Sequence, residues 1–178
     1  MKNLFLAFFS LIILNGCTYY DGERVSSLSV DFLQPTEWNG KIIPAHQGCG
    51  MDGGIGSTPP LYVSGIPAKT NLLILEINDI DEPTLSEGGG LGSIGFYHNG
   101  DFSAVLLPVP GESNVLPNFA FKEKSSRVSS AKPFPYTPPC LERHHRFSAM
   151  IKAVERTGSF DKQKTTVLGI GFIDLGKY

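Results

Sequence analysis

Two carboxylates and one imidazole carry most of the chemistry this sequence offers. Asp79 and Asp81 follow the apolar run Leu72-Leu73-Ile74-Leu75-Glu76-Ile77 and lead into Glu82-Pro83. A nearly unbroken apolar run of this length suits a strand covered on both faces. The acids would then stand at the rim of a core, where binding sites tend to sit. His145 opens a second junction of polar and apolar chain, His144-His145-Arg146-Phe147. Carboxylates beside an imidazole can hold a small ligand, coordinate a divalent metal or move protons. Two carboxylates repel an anion such as phosphate unless an imidazolium at His145, a loop N–H or an ammonium group on the ligand offsets them. The plain alternative for Asp79 and Asp81 is an Asx-turn after a strand. For His144 and His46 it is simple exposure.

Other chemistries are poorly supported. No G-x-S-x-G elbow is present to activate a serine, so the sequence reads as a binder and not an enzyme. A metal at Asp79, Asp81 and His145 lacks an identifiable supporting residue, and no cofactor is called for. The glycines between Gly50 and Gly56 are not a phosphate cradle, because no Gly-Lys-Ser/Thr follows and no helix opens after them. Close backbone packing is reason enough for them.

The elements that must position these residues read as strands. Leu28, Val30 and Phe32 alternate with Ser29 and Asp31, a half-buried strand. Trp38 reads as a core plug. Asn39-Gly40 suggests a hairpin turn into Lys41-Ile42-Ile43-Pro44. Asn71 to Ile77 is the central strand, and Val105-Leu106-Leu107 is another, ended by Pro108 and Pro110. From Asn114 to Pro139 the chain reads as a long solvated excursion, which could also serve as a protein-partner surface. Phe147, Met150, Ile151 and Val154 fit an amphipathic helix, yet Phe147, Ala149, Ile151 and Ala153 alternate as in a strand, and periodicity alone cannot choose. Thr166 to Leu175 alternates as a closing strand whose Gly169 and Gly171 would accept a close neighbour.

The first 16 residues read as a leader. Lys2 gives a positive start and Leu4 to Leu14 an apolar segment of 11 residues, too short to span a bilayer and suited to a signal peptide. Leu14-Asn15-Gly16-Cys17 resembles a bacterial lipobox, in which Cys17 is acylated after cleavage. The alternative is an ordinary secretory signal with a free Cys17. Thr18, in place of an Asp after the cysteine, points to the periplasmic side of the outer membrane, where the acyl chains would anchor the protein firmly. Residues 17–27 read as a polar tether and 28–178 as one domain. Removing 16 of 178 residues leaves 162, enough for a real core. Fifteen Lys and Arg against 17 Asp and Glu give a net charge of −2, or −3 once Lys2 is lost. With no basic stripe, nucleic acid is not an expected partner. The 20 Gly and 13 Pro point to a loop-rich β protein.

Three blocks together resemble the phosphatidylethanolamine-binding protein family. They are Ser57-Thr58-Pro59-Pro60-Leu61, Ser64-Gly65-Ile66-Pro67-Ala68 and Asp79-Ile80-Asp81-Glu82-Pro83, with His145-Arg146-Phe147 answering the family's H-R-Y. The likeness runs from Gly48 to Ala153. It implies an antiparallel β-sandwich with a large central sheet, a smaller sheet and few short helices, and it favours a strand after His145. It also implies that Asp79, Asp81 and His145 meet at a small pocket edged by Pro138 and Pro139, in a family whose pocket takes phosphate or phospholipid head groups. Cys49 and Cys140 each lie beside one of the signatures, so the fold that joins the signatures would join the thiols as a disulfide in an oxidising compartment. Metal ligation by the two Cys with His144 or His145 is the rival reading, though no CxxC clamp is present. The family's His-Trp step has no counterpart near Gly90 to Ile94. His98 would have to swing back to replace it. The pocket is therefore expected to bind differently, or to have become a scaffold such as a protease inhibitor or an envelope-assembly component.

Overall fold

The computed structural model describes residues 17–128, 133–140 and 144–178. The leader expected at 1–16, and Lys132 within the expected excursion, lie outside the described residues. Ten strands form two sheets: β1 (Cys17–Tyr20), β2 (Glu23–Ser27), β3 (Ser29–Phe32), β4 (Leu61–Ser64), β5 (Leu72–Asp79), β6 (Gly92–Tyr97), β7 (Ser103–Leu106), β8 (Ala120–Lys124), β9 (Arg146–Thr157) and β10 (Lys164–Lys177). The large sheet has the order β1-β2-β10-β9-β5-β6-β8, and the small one β3-β4-β7. Among the described residues the only helical pieces are three 3-10 turns of three residues each. All pairings are antiparallel except β2 with β10.

β5 is buried along its whole length, as its apolar run requires. Leu73, Leu75 and Ile77 point with Ala149, Ile151 and Ala153 of β9 toward Leu61, Val63 and Leu106 of the small sheet. The opposite face carries Leu72 and Ile74, covered by Val154, Phe121 and Val167. Trp38, 1% exposed, plugs the core and stacks on Phe32 at 6.3 Å. β9 resolves the helix-or-strand ambiguity of Phe147 to Val154 in favour of a strand. Its alternate residues Phe147, Ala149, Ile151 and Ala153 are buried, and two neighbouring ladders already take its backbone groups.

The chain crosses from the large sheet to the small one at Leu28, whose N–H donates to Ile170 O at 2.8 Å. The crossing needs room on β10. A Cβ at Gly169 would come within 2.9 Å of Leu28 Cδ2, and one at Gly171 within 2.7 Å of Val30 Cγ2. The close neighbour expected at this glycine pair is therefore the β2–β3 crossover.

Several expectations need correction. Residues 17–27 are no slack tether: β1 and β2 form a hairpin that joins the large sheet alongside β10. They look polar because they form an edge with one wet face. Val25 is buried, and the Tyr20 ring lies 4.9 Å from the Lys152 ammonium. Burial works against the charge on Lys152, but hydrogen bonds to Tyr20 and Glu76 outweigh it and hold its pKa above the ordinary value. Lys41 to Pro44 is not a hairpin strand. Asn39 Oδ1 accepts from Lys41 N and Ile42 N in an Asx-type turn, and a single bridge links Ile42 to Lys177. The excursion from 114 to 139 contains β8 and buries Tyr136, so it is partly core.

Cys49 and Cys140 are joined in a disulfide across 91 residues. Replacing both by Ser is expected to cost about 4–5 kcal/mol by the loop-entropy account. In a domain of this size that is a fall in Tm on the order of 10–20 °C. Calorimetry of the double variant, and of the wild type with reductant, checks it.

Candidate functional site

The site is set by the register of β5 against β9. Asp79, the last residue of β5, pairs with Phe147, and Ile80 N donates to Arg146 O at 2.8 Å. His145, just before β9, is thereby carried to the end of β5. Its Nδ1 lies 2.7 Å from Asp79 Oδ2 and 3.0 Å from Oδ1. A carboxylate only accepts, so Nδ1 carries the proton and donates. Nε2 has no partner among the described residues. Neutral, it offers a lone pair; protonated, it offers a donor. Asp79 also accepts from Asp81 N at 3.1 Å. The Asx-turn and the imidazole contact, which the sequence posed as alternatives, thus coexist on one carboxylate.

Asp81 has a different partner. Arg146 donates to it through Nη2 at 2.7 Å, through Nε at 3.2 Å and through its backbone N at 2.9 Å. The His-Arg pair thus divides the two acids, with His145 taking Asp79 and Arg146 taking Asp81. Neither Asp81 nor His145 is among the residues that line the neighbouring cleft, and the repulsion of Asp81 toward an anion is largely cancelled by the guanidinium.

That cleft, about 490 Å³, is lined by Asp79, Glu82 and Arg127 among charged groups, by Leu85, Leu91 and Phe147, and by a wall of Thr137, Pro138, Pro139 and Cys140, with Met51 also lining it. Pro138 and Pro139 thus share the cleft lining with Asp79, without Asp81 or His145. Their seating depends on glycine: a Cβ at Gly56 would meet Pro138 Cβ at 2.7 Å, and one at Gly111 would meet Pro138 Cγ at 2.3 Å. Cys49 N donates to Pro139 O at 2.8 Å beside the disulfide. Both sulfurs are spent in that bond, so the grouping of Cys49, Asp52 and Cys140 has no thiolate to offer a metal.

Arg127 escaped the sequence reading. Its guanidinium donates to the carbonyls of Thr84, Glu87 and Gly88, and its N–H to Gly90 O. It ties the turn after β5 to the segment after β8 and places a fixed cation in the cleft. Nothing local in Ser125-Ser126-Arg127-Val128 marks it; only the fold does.

His98 does not restore the missing imidazole. Tyr97 pairs with Leu72 at the opposite end of β5, seven residues from Asp79 and so roughly 23 Å along the strand. Its Nε2 lies 2.9 Å from Asp101 O. Near Gly90 to Ile94 the cleft is lined by buried Leu91. His144 is exposed, and His46 is exposed and pairs with Glu37 at 3.0 Å.

Two tests follow from this geometry. The Asp81 carboxyl is held at about 2, below the ordinary 3.8, by the Arg146 side chain first and its backbone N–H second. A depressed acid contributes stability above its ordinary pKa and loses it as pH falls through the folded value. An NMR titration should place the Asp81 midpoint near 2 in the wild type and back toward 3.8 in Arg146→Ala. Gly111→Val should displace Pro138 from the cleft wall, seen as shifted Pro138 and Thr137 resonances and a lowered Tm.

No protein-family model matches the chain, and no curated protein matches it significantly. Among solved structures, the crystal structure described as that of a phosphatidylethanolamine-binding protein homologue, CT736 of Chlamydia trachomatis D/UW-3/CX, superposes with a TM-score of 0.50. The match covers 85% of this chain and 97% of that one at 18% identity. A likeness at that identity is one of architecture, and it agrees with the two sheets: this chain has the phosphatidylethanolamine-binding protein fold.

Proposed function

We propose that the protein is a lipid-anchored binding module on the periplasmic side of the bacterial outer membrane, whose cleft takes a small anionic group of the phosphate or phospholipid head-group kind. The observation that carries the binding reading is the Asp79–His145 contact at 2.7 Å beside a cleft that also holds the Arg127 cation. Asp79 lines the cleft and fixes the ring of His145 just outside its lining, so that a protonated Nε2 can donate to an anion that reaches past Asp79. Arg127, whose Nε, Nη1 and Nη2 each donate one hydrogen bond to a carbonyl, adds charge, and Arg146 removes the repulsion from Asp81. The anchor rests on the leader and the lipobox-like run ending in Cys17. The role is binding, with no cofactor and no bond made or broken.

One observation favours a second reading, a scaffold that engages a protein partner through the 114–139 region. Leu91 and Leu85 line the cleft where a second imidazole would strengthen anion binding. Thermal-shift titrations with phosphate, phosphoryl-ethanolamine and nucleotides separate the two. An upward shift with phosphate or phosphoryl-ethanolamine that His145→Ala abolishes is the expected result. No shift with any anion, at saturating concentration, overturns the anion reading in favour of the scaffold.

A further inference from the structure

The disulfide joins two pieces of chain that no ladder holds. Neither Cys49 nor Cys140 belongs to a strand, and both of their segments contribute to the cleft. Cys140 is half-buried and lines the cleft beside Pro138 and Pro139, whereas Cys49 is fully buried and does not. Met51, 80% exposed, rides on the Cys49 loop and lines the same cleft. Among the described residues, one backbone hydrogen bond joins the loop to the proline wall, from Cys49 N to Pro139 O at 2.8 Å. The loop's other ties are its own turns, such as Gly54 N to Cys49 O and Gly56 N to Gly48 O. The ladder of β5 with β9 runs from Leu72 to Asp79 without either segment, so the body does not need the bridge in order to keep its register.

A thiolate attacks one sulfur of a disulfide and expels the other. The cleft gives access to Cys140, and Arg127 supplies a cation there. The incoming thiolate therefore bonds to Cys140 Sγ, and the bridge breaks toward Cys49. Asp52 Oδ2 lies 3.4 Å from Cys49 Sγ. Its charge repels a thiolate at that sulfur, and it accepts a hydrogen bond once Cys49 has taken up a proton. A second thiol then displaces the first from Cys140. In sum, two thiols are oxidised to one disulfide and the protein's bridge is reduced to two thiols. We propose that Cys49–Cys140 is a thiol-exchange site that locks the cleft: a small thiol entering the cleft opens it at Cys140, which frees the Met51 loop from the proline wall while both sheets stay folded. The opening itself is independent of the anion reading, and only its effect on a ligand rests on that reading. An anion that binds the locked cleft more tightly protects the bridge by the same factor, about 30 mV in midpoint potential for each tenfold in affinity.

Glutathione is the probe. The native protein is equilibrated in glutathione redox buffers and quenched with acid; mass spectrometry then locates the adduct, and hydrogen exchange follows the amides. The expected mixed disulfide is on Cys140. On full reduction, the amides of Cys49, Gly54 and Gly56 should exchange faster by on the order of tenfold or more, while Leu75 and Ile151 in the central ladder keep their protection. An adduct on Cys49 overturns the proposal, as does a bridge that glutathione opens only after denaturation. So does a loop whose exchange is unchanged by reduction, or a loop and central ladder released together, which would make the bridge a staple of the whole fold. Phosphate titrations of the oxidised protein keep the two readings apart, because a failure to bind ends the anion reading and leaves the exchange data to decide the lock.

Discussion

The register between β5 and β9 is the constraint on which the rest of this molecule depends. Side chains alternate faces along a strand, so a slip of one residue would turn Leu73, Leu75 and Ile77 out of the core and part Asp79 from His145 at the same stroke. Core and site are therefore specified together. The apolar faces that make the register unambiguous also bring an acid and an imidazole, 66 positions apart, to 2.7 Å. The next two contacts repeat the logic, with Ile80 N on Arg146 O and the Arg146 guanidinium on Asp81.

Around that fixed pair, the cleft is completed by chain that belongs to no sheet. The loop before Ser57, the segment holding Pro138 and Pro139, and the turn after β5 are each tied down differently: by a sulfur bridge, by glycines that let backbone and proline rings touch, and by Arg127 spread over three carbonyls. Loops need such ties, because they lack the repeating hydrogen bonds that hold a strand. The cleft's shape is thus decided by a few long-range contacts, each of which one substitution can undo.

What could be read in the sequence follows from how locally each feature is encoded. β5 was plain because an apolar run between turn residues has one sensible fate. β9 was ambiguous in itself, since residues 147–154 satisfy both periods, and the family likeness was needed to decide. The glycine pair in β10 announced a close neighbour without saying which. The β1–β2 hairpin was hidden because an edge strand with one wet face looks like loop composition. β8 was hidden because Ala-Phe-Lys-Glu-Lys is too short and too charged to stand out from its surroundings. Arg127 and the pairing of Arg146 with Asp81 were beyond reach, because each is a contact across 40 or more positions that exists only once the sheet register is set.

The β1–β2 hairpin has a mechanical consequence. A slack leader of about ten residues would let the body wander by roughly 17 Å from its point of attachment. Here Cys17 is already the first residue of a strand, paired with Ser26, and through β2 it is coupled to the long β10. Whatever grips residue 17 therefore grips the edge of the sheet directly, and the distance between that point and the body is a property of the fold.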